Sequence, residues 1–254
     1  MQTPKSADDV VHAPHAPLTD YYQSEHERSG WIRKMFDDTA PDYDRIETLL
    51  GFGSGSWYRR QALLRAGLQA GMKTVDVGMG TGLVARQIAA VTGDPALVTG
   101  VDPSPGMLRS ARVPAGVSLV EGKAEHIPFQ DNHFDFLSMG YALRHISDLS
   151  VAFAEFHRVL KPGARFCILE ITCPEKASHK ALLRAYLRTV VPVLAKLATR
   201  NGNTSLLWRY YWDTIEFCAP PEKVMGTLQN AGFTDVSRHR ELGIFSEYRG
   251  TKPF

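Results

Sequence analysis

Asp76, Gly78, Gly80 and Gly82 spell D-x-G-x-G-x-G directly after a short apolar run. A strand ending in such a loop can bend sharply, because glycine accepts backbone angles that a Cβ forbids. The chain then enters a helical stretch from Gly82 to Ala90, whose first N–H groups face the bend. Further on, Asp102 closes a second apolar run, Ala96 to Val101. A carboxylate at that spacing is placed to hold the two hydroxyls of a ribose. Together these residues predict a nucleoside cofactor lying across the carboxyl ends of parallel strands.

Which nucleoside is a separate question. Gly80-Thr81-Gly82-Leu83-Val84-Ala85 also satisfies G-x-G-x-x-G/A, so NAD(P) and an oxidoreductase remain open. Asp76 argues for another ligand. It stands two residues before the first glycine, where it can reach an amino group and would repel a pyrophosphate. S-adenosylmethionine carries an amino group and a ribose and no phosphate, and it is the cofactor expected here. An ordinary turn with no ligand is the remaining reading.

The elements that must position this loop alternate. Asp20 to Asp44 reads as helix broken near Ala40-Pro41, and a second helix follows from Ser56 with Trp57, Leu63, Leu64 and Leu68 on an apolar stripe. Strands are expected at Thr74–Val77, Ala96–Val101, Val117–Val120, Phe134–Met139 and Ala164–Ile171. Helices fall between them at Gly82–Val91, Ser104–Ala111 and Asp148–Leu160, the last stopped by Lys161-Pro162-Gly163. Such alternation predicts a parallel sheet with helices on both faces. Residues 173–232 interrupt it with mostly helical sequence. Thr234–His239 and Ile244–Arg249 then read as an antiparallel edge pair.

Composition narrows the function classes. The 254 residues are 44% hydrophobic, enough for a sizeable core. A balance of 29 Lys plus Arg against 27 Asp plus Glu, net +2, argues against nucleic acid as a partner. Cys167, Cys173 and Cys218 lack C-x-x-C spacing. That suits a reducing cytoplasm and offers no zinc site, and the histidines offer no other metal site. Residues 1–19 form a polar tail, expected to be disordered and without the apolar region of a signal peptide. No apolar run approaches the ~20 residues of a membrane span.

Several segments in order resemble a known family. They are Phe36 to Asp44, the glycine loop, Val101-Asp102-Pro103-Ser104 with Met107-Leu108, and Ala124 to Phe129. Asp131 to Asp135, Ala142 to Ile146 and Arg158 to Gly163 continue the series. The chain is similar to the class I S-adenosylmethionine-dependent methyltransferases, from about residue 31 to Gly250. Within that class it most resembles the ubiquinone/menaquinone-biosynthesis C-methyltransferases. The quinone branch is marked by the Tyr43 segment, Leu143-Arg144 and the C-terminal Arg249-Gly250.

The resemblance implies an α/β, Rossmann-like fold with a mostly parallel seven-stranded sheet, an antiparallel edge pair and a helical lid. One domain over 20–254 is expected, divided into N-terminal helices (20–70), cofactor-binding core (71–172), lid (173–232) and final strands (233–254). It implies methyl transfer to a carbon or oxygen of an aromatic, quinone-like or lipid-like small molecule. A protein that binds the cofactor without transferring methyl is the rival from another class. By the resemblance, Gly78, Gly80, Thr81 and Gly82 would hold the methionine part and Asp102 the ribose. Met107, Lys123 and Ala124 would meet the adenine, Gly140 would face the sulfonium, and Tyr43 would close over the cofactor. Three positions depart from the family pattern. Met79 stands where a glycine is usual, Lys123 where an Asp or Asn accepts from the adenine amino group, and Arg144-His145 where Arg-Asn is common. Met79 is expected to narrow the space beside the cofactor.

For catalysis, a phenol ring attacking through carbon needs its proton removed. His145 is the candidate base and Arg144 the candidate cation beside a phenolate. Each has a structural counterpart: a packed histidine, and an ion pair with Asp148. Tyr21, Tyr22, Trp31, Tyr43, Trp208, Tyr210, Tyr211 and Trp212 are candidates for a substrate cap, most of them expected in plain core. Glu125 is expected to cap or pair rather than to catalyse. Lys176 to Arg200 carries six Lys or Arg and no acid, with Leu182, Leu183, Tyr186, Leu187, Val190, Val191 and Leu194 interleaved. It reads either as a peripheral membrane contact for a prenylated substrate or as a cap helix with a solvated basic face interrupted at Pro192.

Overall fold

A computed structural model describes residues 13–50, 54–193 and 203–254 of the chain. Residues 1–12 of the tail, residues 51–53, and residues 194–202, which include the end of the basic segment, lie outside the described residues.

Seven strands form one sheet: β1 (Thr74–Val77), β2 (Val98–Asp102), β3 (Ser118–Glu121), β4 (Phe134–Gly140), β5 (Leu160–Ile171), β6 (Thr234–Glu241) and β7 (Phe245–Thr251). Their spatial order is β3-β2-β1-β4-β5-β7-β6. β1 through β5 pair in parallel, with Thr74 opposite Val98 on one side and Phe136 on the other, while β7 runs antiparallel between β5 and β6. This is the Rossmann-like architecture of class I methyltransferases. β1 and β2 are buried along their whole length, as a parallel strand covered on both faces must be.

The described helices are α1 (Glu25–Leu50), α2 (Gly55–Arg65), α3 (Leu83–Thr92), α4 (Pro105–Ser110), α5 (Leu149–Val159), α6 (Ala177–Ala185), α7 (Asn203–Phe217) and α8 (Pro221–Asn230). Phe153, Phe156, Val224 and Leu228 cover one face of the sheet, and Leu63, Ala85 and Ile88 cover the other. Each such side chain contributes roughly 1.5–3 kcal/mol. A third cluster, built of Tyr22, Ile32, Leu187, Val191, Tyr210 and Trp212, joins α1, α7 and the turn after α6.

Several expectations are corrected. α1 begins at Glu25 and runs through Pro41 without a break. Proline removes one backbone bond, which α1 absorbs because Pro41 is exposed and acids on either side pin the helix. Trp57 and Leu64 face solvent, so the α2 stripe reduces to Leu63, with Leu68 buried just beyond the helix. β2 starts two residues later than expected because Pro95–Leu97 forms a 3₁₀ turn capped by Asp94. β5 starts earlier and includes Lys161-Pro162-Gly163. Gly163 takes a positive φ there and bonds to Lys252 on the neighbouring strand's end. Within 173–232 the packing divides. α6 and α7 meet the aromatic cluster, whereas α8 lies on α5 and β6 in the main core.

Candidate functional site

The strand order reverses between β1 and β4, where an open α/β sheet leaves a crevice at its carboxyl ends. A cavity of about 1310 Å³ fills that crevice and continues beneath α1 and α7. Tyr43, Asp76, Gly78, Gly80, Thr81, Asp102, Met107, Lys123, Ala124 and Gly140 all line it, as does His145.

The glycine loop works as its sequence demands. Gly82 caps α3 with φ 89°, and a Cβ there would lie 2.3 Å from Val113. Gly80 (φ 55°) has nothing within 4 Å of the Cβ it lacks, so its open side faces the space a ligand would take. The Asp102 carboxylate accepts from the backbone N–H of Gly80 and of Ser104, both at 2.8 Å, and so ties the loop to β2. Burial pushes this carboxyl up to about 6 against those two bonds. Its oxygens retain lone pairs for a ribose.

Asp76 is fully buried. Its Oδ1 accepts from the Ser138 hydroxyl at 2.7 Å, the Ala85 backbone N–H at the head of α3 also favours its charged form, and its Oδ2 makes no hydrogen bond among the described residues. Burial pushes its pKa up to about 7. A buried carboxylate oxygen without a donor, at the wall of a cavity, is costly unless a ligand supplies one. An ammonium group would supply it. With Asp102 near a ribose position and Gly80 open, the residues present fit an adenosyl amino acid.

Two acids that sequence reasoning missed hold α1 over these loops. Asp37 accepts from the Ser104 hydroxyl at 2.6 Å and from the Gly106 N–H at 2.7 Å. Asp44 accepts from the Thr81 hydroxyl and pairs with Arg86 at 3.3 Å. Their spacing of two helical turns puts both on one face, a signal present in the Phe36–Asp44 segment.

Three further expectations change. Met79 contributes to the cavity wall, but most of its side chain turns away from it. It packs in the core beside α3, over Gly100, where a Cβ would meet its sulfur at 1.9 Å. Glycine at 100 is what makes room for methionine at 79. Arg144 lies behind the cavity wall, fully buried. Its partner is Glu170, not Asp148, and its guanidinium lies 4.4 Å from the Tyr211 ring centre. Asp148 instead caps α5, accepting from Ser150 and Val151. The ion-pair role therefore holds with a partner 26 positions away that no local pattern marks. Lys123 is exposed at the cavity edge, its backbone bridged to His126.

His145 sits at the junction of the two halves. Tyr210 stacks on it with its hydroxyl 3.4 Å from Nδ1, Phe36 meets its ring edge-on, and Nε2 is buried without a partner among the described residues. Burial, then Arg144, Arg28 and His15, lower its pKa well below 6.5, so it stays neutral. Of the eight cap aromatics, Tyr43, Trp208 and Tyr211 line the cavity, with the Tyr43 and Tyr211 hydroxyls bonded to each other. The others lie in or against the aromatic cluster. Glu125 accepts from the Ser147 N–H at 2.6 Å, a tie between two loops.

The model of the ubiE/COQ5 methyltransferase family matches residues 22–252. This chain belongs to that family. It is 37% identical over 207 residues to a demethylmenaquinone methyltransferase of Chlorobaculum tepidum, covering 80% of this chain and 84% of that one. It is 33% identical over 234 residues to the ubiquinone/menaquinone biosynthesis C-methyltransferase UbiE of Geobacter sulfurreducens, covering 89% and 90%. Among solved structures, a SAM-dependent methyltransferase of Thermotoga maritima superposes with a TM-score of 0.61 at 22% identity, covering 86% of this chain and 99% of that one. The last match concerns the fold alone. The chain is thus a methyltransferase, and the oxidoreductase alternative is not favoured by any of these matches.

Proposed function

We propose that this methyltransferase uses S-adenosylmethionine to methylate a ring carbon of a quinone-like phenol that carries a long apolar substituent. The observation that carries the reading is the single cavity joining Asp76 and Asp102 at one end to Trp208, Tyr211 and Leu187 at the other, with His145 between. When bound, the cofactor supplies an activated methyl group. Asp76 would receive its ammonium, Asp102 its ribose, and Met107 would pack against its adenine.

Around the acceptor, the aromatic walls exclude water and hold the ring in line, the positioning that contributes about 7–11 kcal/mol in such reactions. Forming the new carbon–carbon bond releases a ring proton, and attack through carbon is driven by loss of the phenol proton. His145 is neutral, with Nε2 free to accept one of them. Arg144 acts from behind, holding the loop through Glu170 and adding positive potential. The cavity reaches the surface beside Trp57 and Leu242, 67% and 78% exposed, an apolar mouth through which a prenyl chain would leave. The membrane contact expected of 176–200 belongs to this proposal. Leu183 and Leu187 face the aromatic cluster and the cavity, while Lys180 and Arg188 pair with Glu216 and Asp213 of α7. Among the described residues, no helix is long and apolar enough to cross a membrane.

The test is incubation with methyl-labelled cofactor and a reduced demethylquinone bearing a short prenyl chain. Label is expected on ring carbon. Tight cofactor binding with no transfer to any phenol would refute the proposal in favour of a protein that only binds the cofactor.

A further inference from the structure

Arg59 is a buried cation that neither the sequence pattern nor the chemistry above accounts for. It projects from α2, is 3% exposed, and lines the same cavity as Asp76. Its Nη2 pairs with Glu47 of α1. Its Nε and Nη1, which together carry three N–H donors, have no partner among the described residues. Burying such donors unmet costs free energy, more so on a charged group. Arg59 nevertheless stays charged: burial opposes the charge, and Tyr141 and Glu47 outweigh it.

The surroundings are built to keep it there. Gly55, one turn earlier, leaves room for it, since a Cβ at that position would meet Nη1 at 2.6 Å. Tyr141 lies beneath the guanidinium, 5.4 Å from its ring centre, and adopts φ 60°, a conformation uncommon for a bulky residue. Tyr141 directly follows Gly140 at the tip of β4. Arg59 is also near enough to Asp76 to lower that residue's proton affinity. One cavity wall therefore carries a buried carboxylate with one oxygen unbonded and, beside it, a buried guanidinium with two of its three nitrogens lacking acceptors among the described residues.

We propose that Arg59 binds the α-carboxylate of the cofactor's amino-acid end, so that Asp76 and Arg59 together recognise a zwitterion. The inference rests on the cofactor assigned under the proposed function. Nη1 offers two N–H groups to the incoming carboxylate, and Glu47 on Nη2 fixes the plane of the guanidinium. The chain would thereby distinguish an adenosyl amino acid from adenosyl compounds lacking the acid.

The experiment measures equilibrium binding by calorimetry, with no turnover. The probes are S-adenosylhomocysteine, its decarboxylated amine, and 5′-methylthioadenosine. Wild type is expected to bind S-adenosylhomocysteine about ten- to a hundredfold more tightly than the decarboxylated amine. Arg59→Gln should bind those two alike while keeping its affinity for 5′-methylthioadenosine. Arg59→Lys, which keeps the charge and loses the planar fork, should show a smaller preference than wild type, and it decides the matter if Arg59→Gln does not fold. An undiminished preference in Arg59→Gln or in Arg59→Lys, or no preference in wild type, would overturn the role of Arg59. Failure of wild type to bind any of the three adenosyl compounds would instead remove the cofactor reading itself.

Discussion

Replacing Asp76 by Asn should make the ligand-free protein more stable and its cofactor site worse. The carboxyl is fully buried, and burial raises it from 3.8 to about 7 against the Ser138 hydroxyl and the Ala85 N–H, which favour its charged form. A proton held more tightly in the folded chain than in the unfolded one means that ionisation opposes folding. The cost is absent below about pH 4, grows as the pH rises between 3.8 and about 7, and is complete above that. Its ceiling is about 4 kcal/mol, from 1.36 kcal/mol per pH unit between the two values. Asn is isosteric, can still accept from Ser138, and never ionises. Urea unfolding of both proteins without ligand should therefore show little difference at pH 4. At pH 8 the variant should be more stable by up to about 4 kcal/mol. Calorimetry at pH 8 should show S-adenosylhomocysteine binding ten- to a hundredfold more weakly, through loss of a charged hydrogen bond. A stability difference that does not vary with pH, or unchanged affinity, would refute the argument that Asp76 is held strained for an ammonium.

His145→Ala should leave S-adenosylhomocysteine affinity unchanged and lower turnover, as single-turnover label transfer would show. Because burial and neighbouring cations hold His145 below 6.5, the wild-type rate should not fall as the pH drops through 6.5, and any loss from this residue should come lower. Arg144→Met should destabilise the protein by about 3–5 kcal/mol, since Glu170 is left buried and unpaired. Adding Glu170→Gln should recover much of that, a cycle read by urea denaturation. Gly100→Ala should push Met79 into the glycine loop and weaken cofactor binding, and Met79→Ala in the same chain should restore it.

What the sequence discloses follows from the range of the interactions involved. β1, α3, α4 and α5 are legible because their signals are local: an apolar run, a glycine cap at Gly82, Ser104 before Pro105, and Asp148 before an apolar stripe. Asp76 and Asp102 are legible for the same reason, their roles being set by distance from the glycines. Pro41 misleads because its local effect is outweighed by ties from Asp37 to a loop 67 and 69 residues away and from Asp44 to one 37 residues away. Glu170, which decides what Arg144 does, lies inside a buried strand where nothing distinguishes it in advance. Arg59 is one of two adjacent arginines on α2, and only burial separates it from its exposed neighbour Arg60. Met79 looks like an intrusion until Gly100 is seen opposite it.

α1 touches both ends of the reaction space. Its acids grip the loops that would cradle the cofactor, and its Phe36 and Tyr43 touch His145 and Tyr211 around the acceptor. A single rod thus spans the whole length of the cavity, with Pro41 between its two anchor points. Whatever shifts Thr81 or Ser104 also tilts the rings above. One helix therefore ties the loops of the cofactor end to the rings of the acceptor end, so a substitution at Asp37 or Asp44 is expected to disturb both.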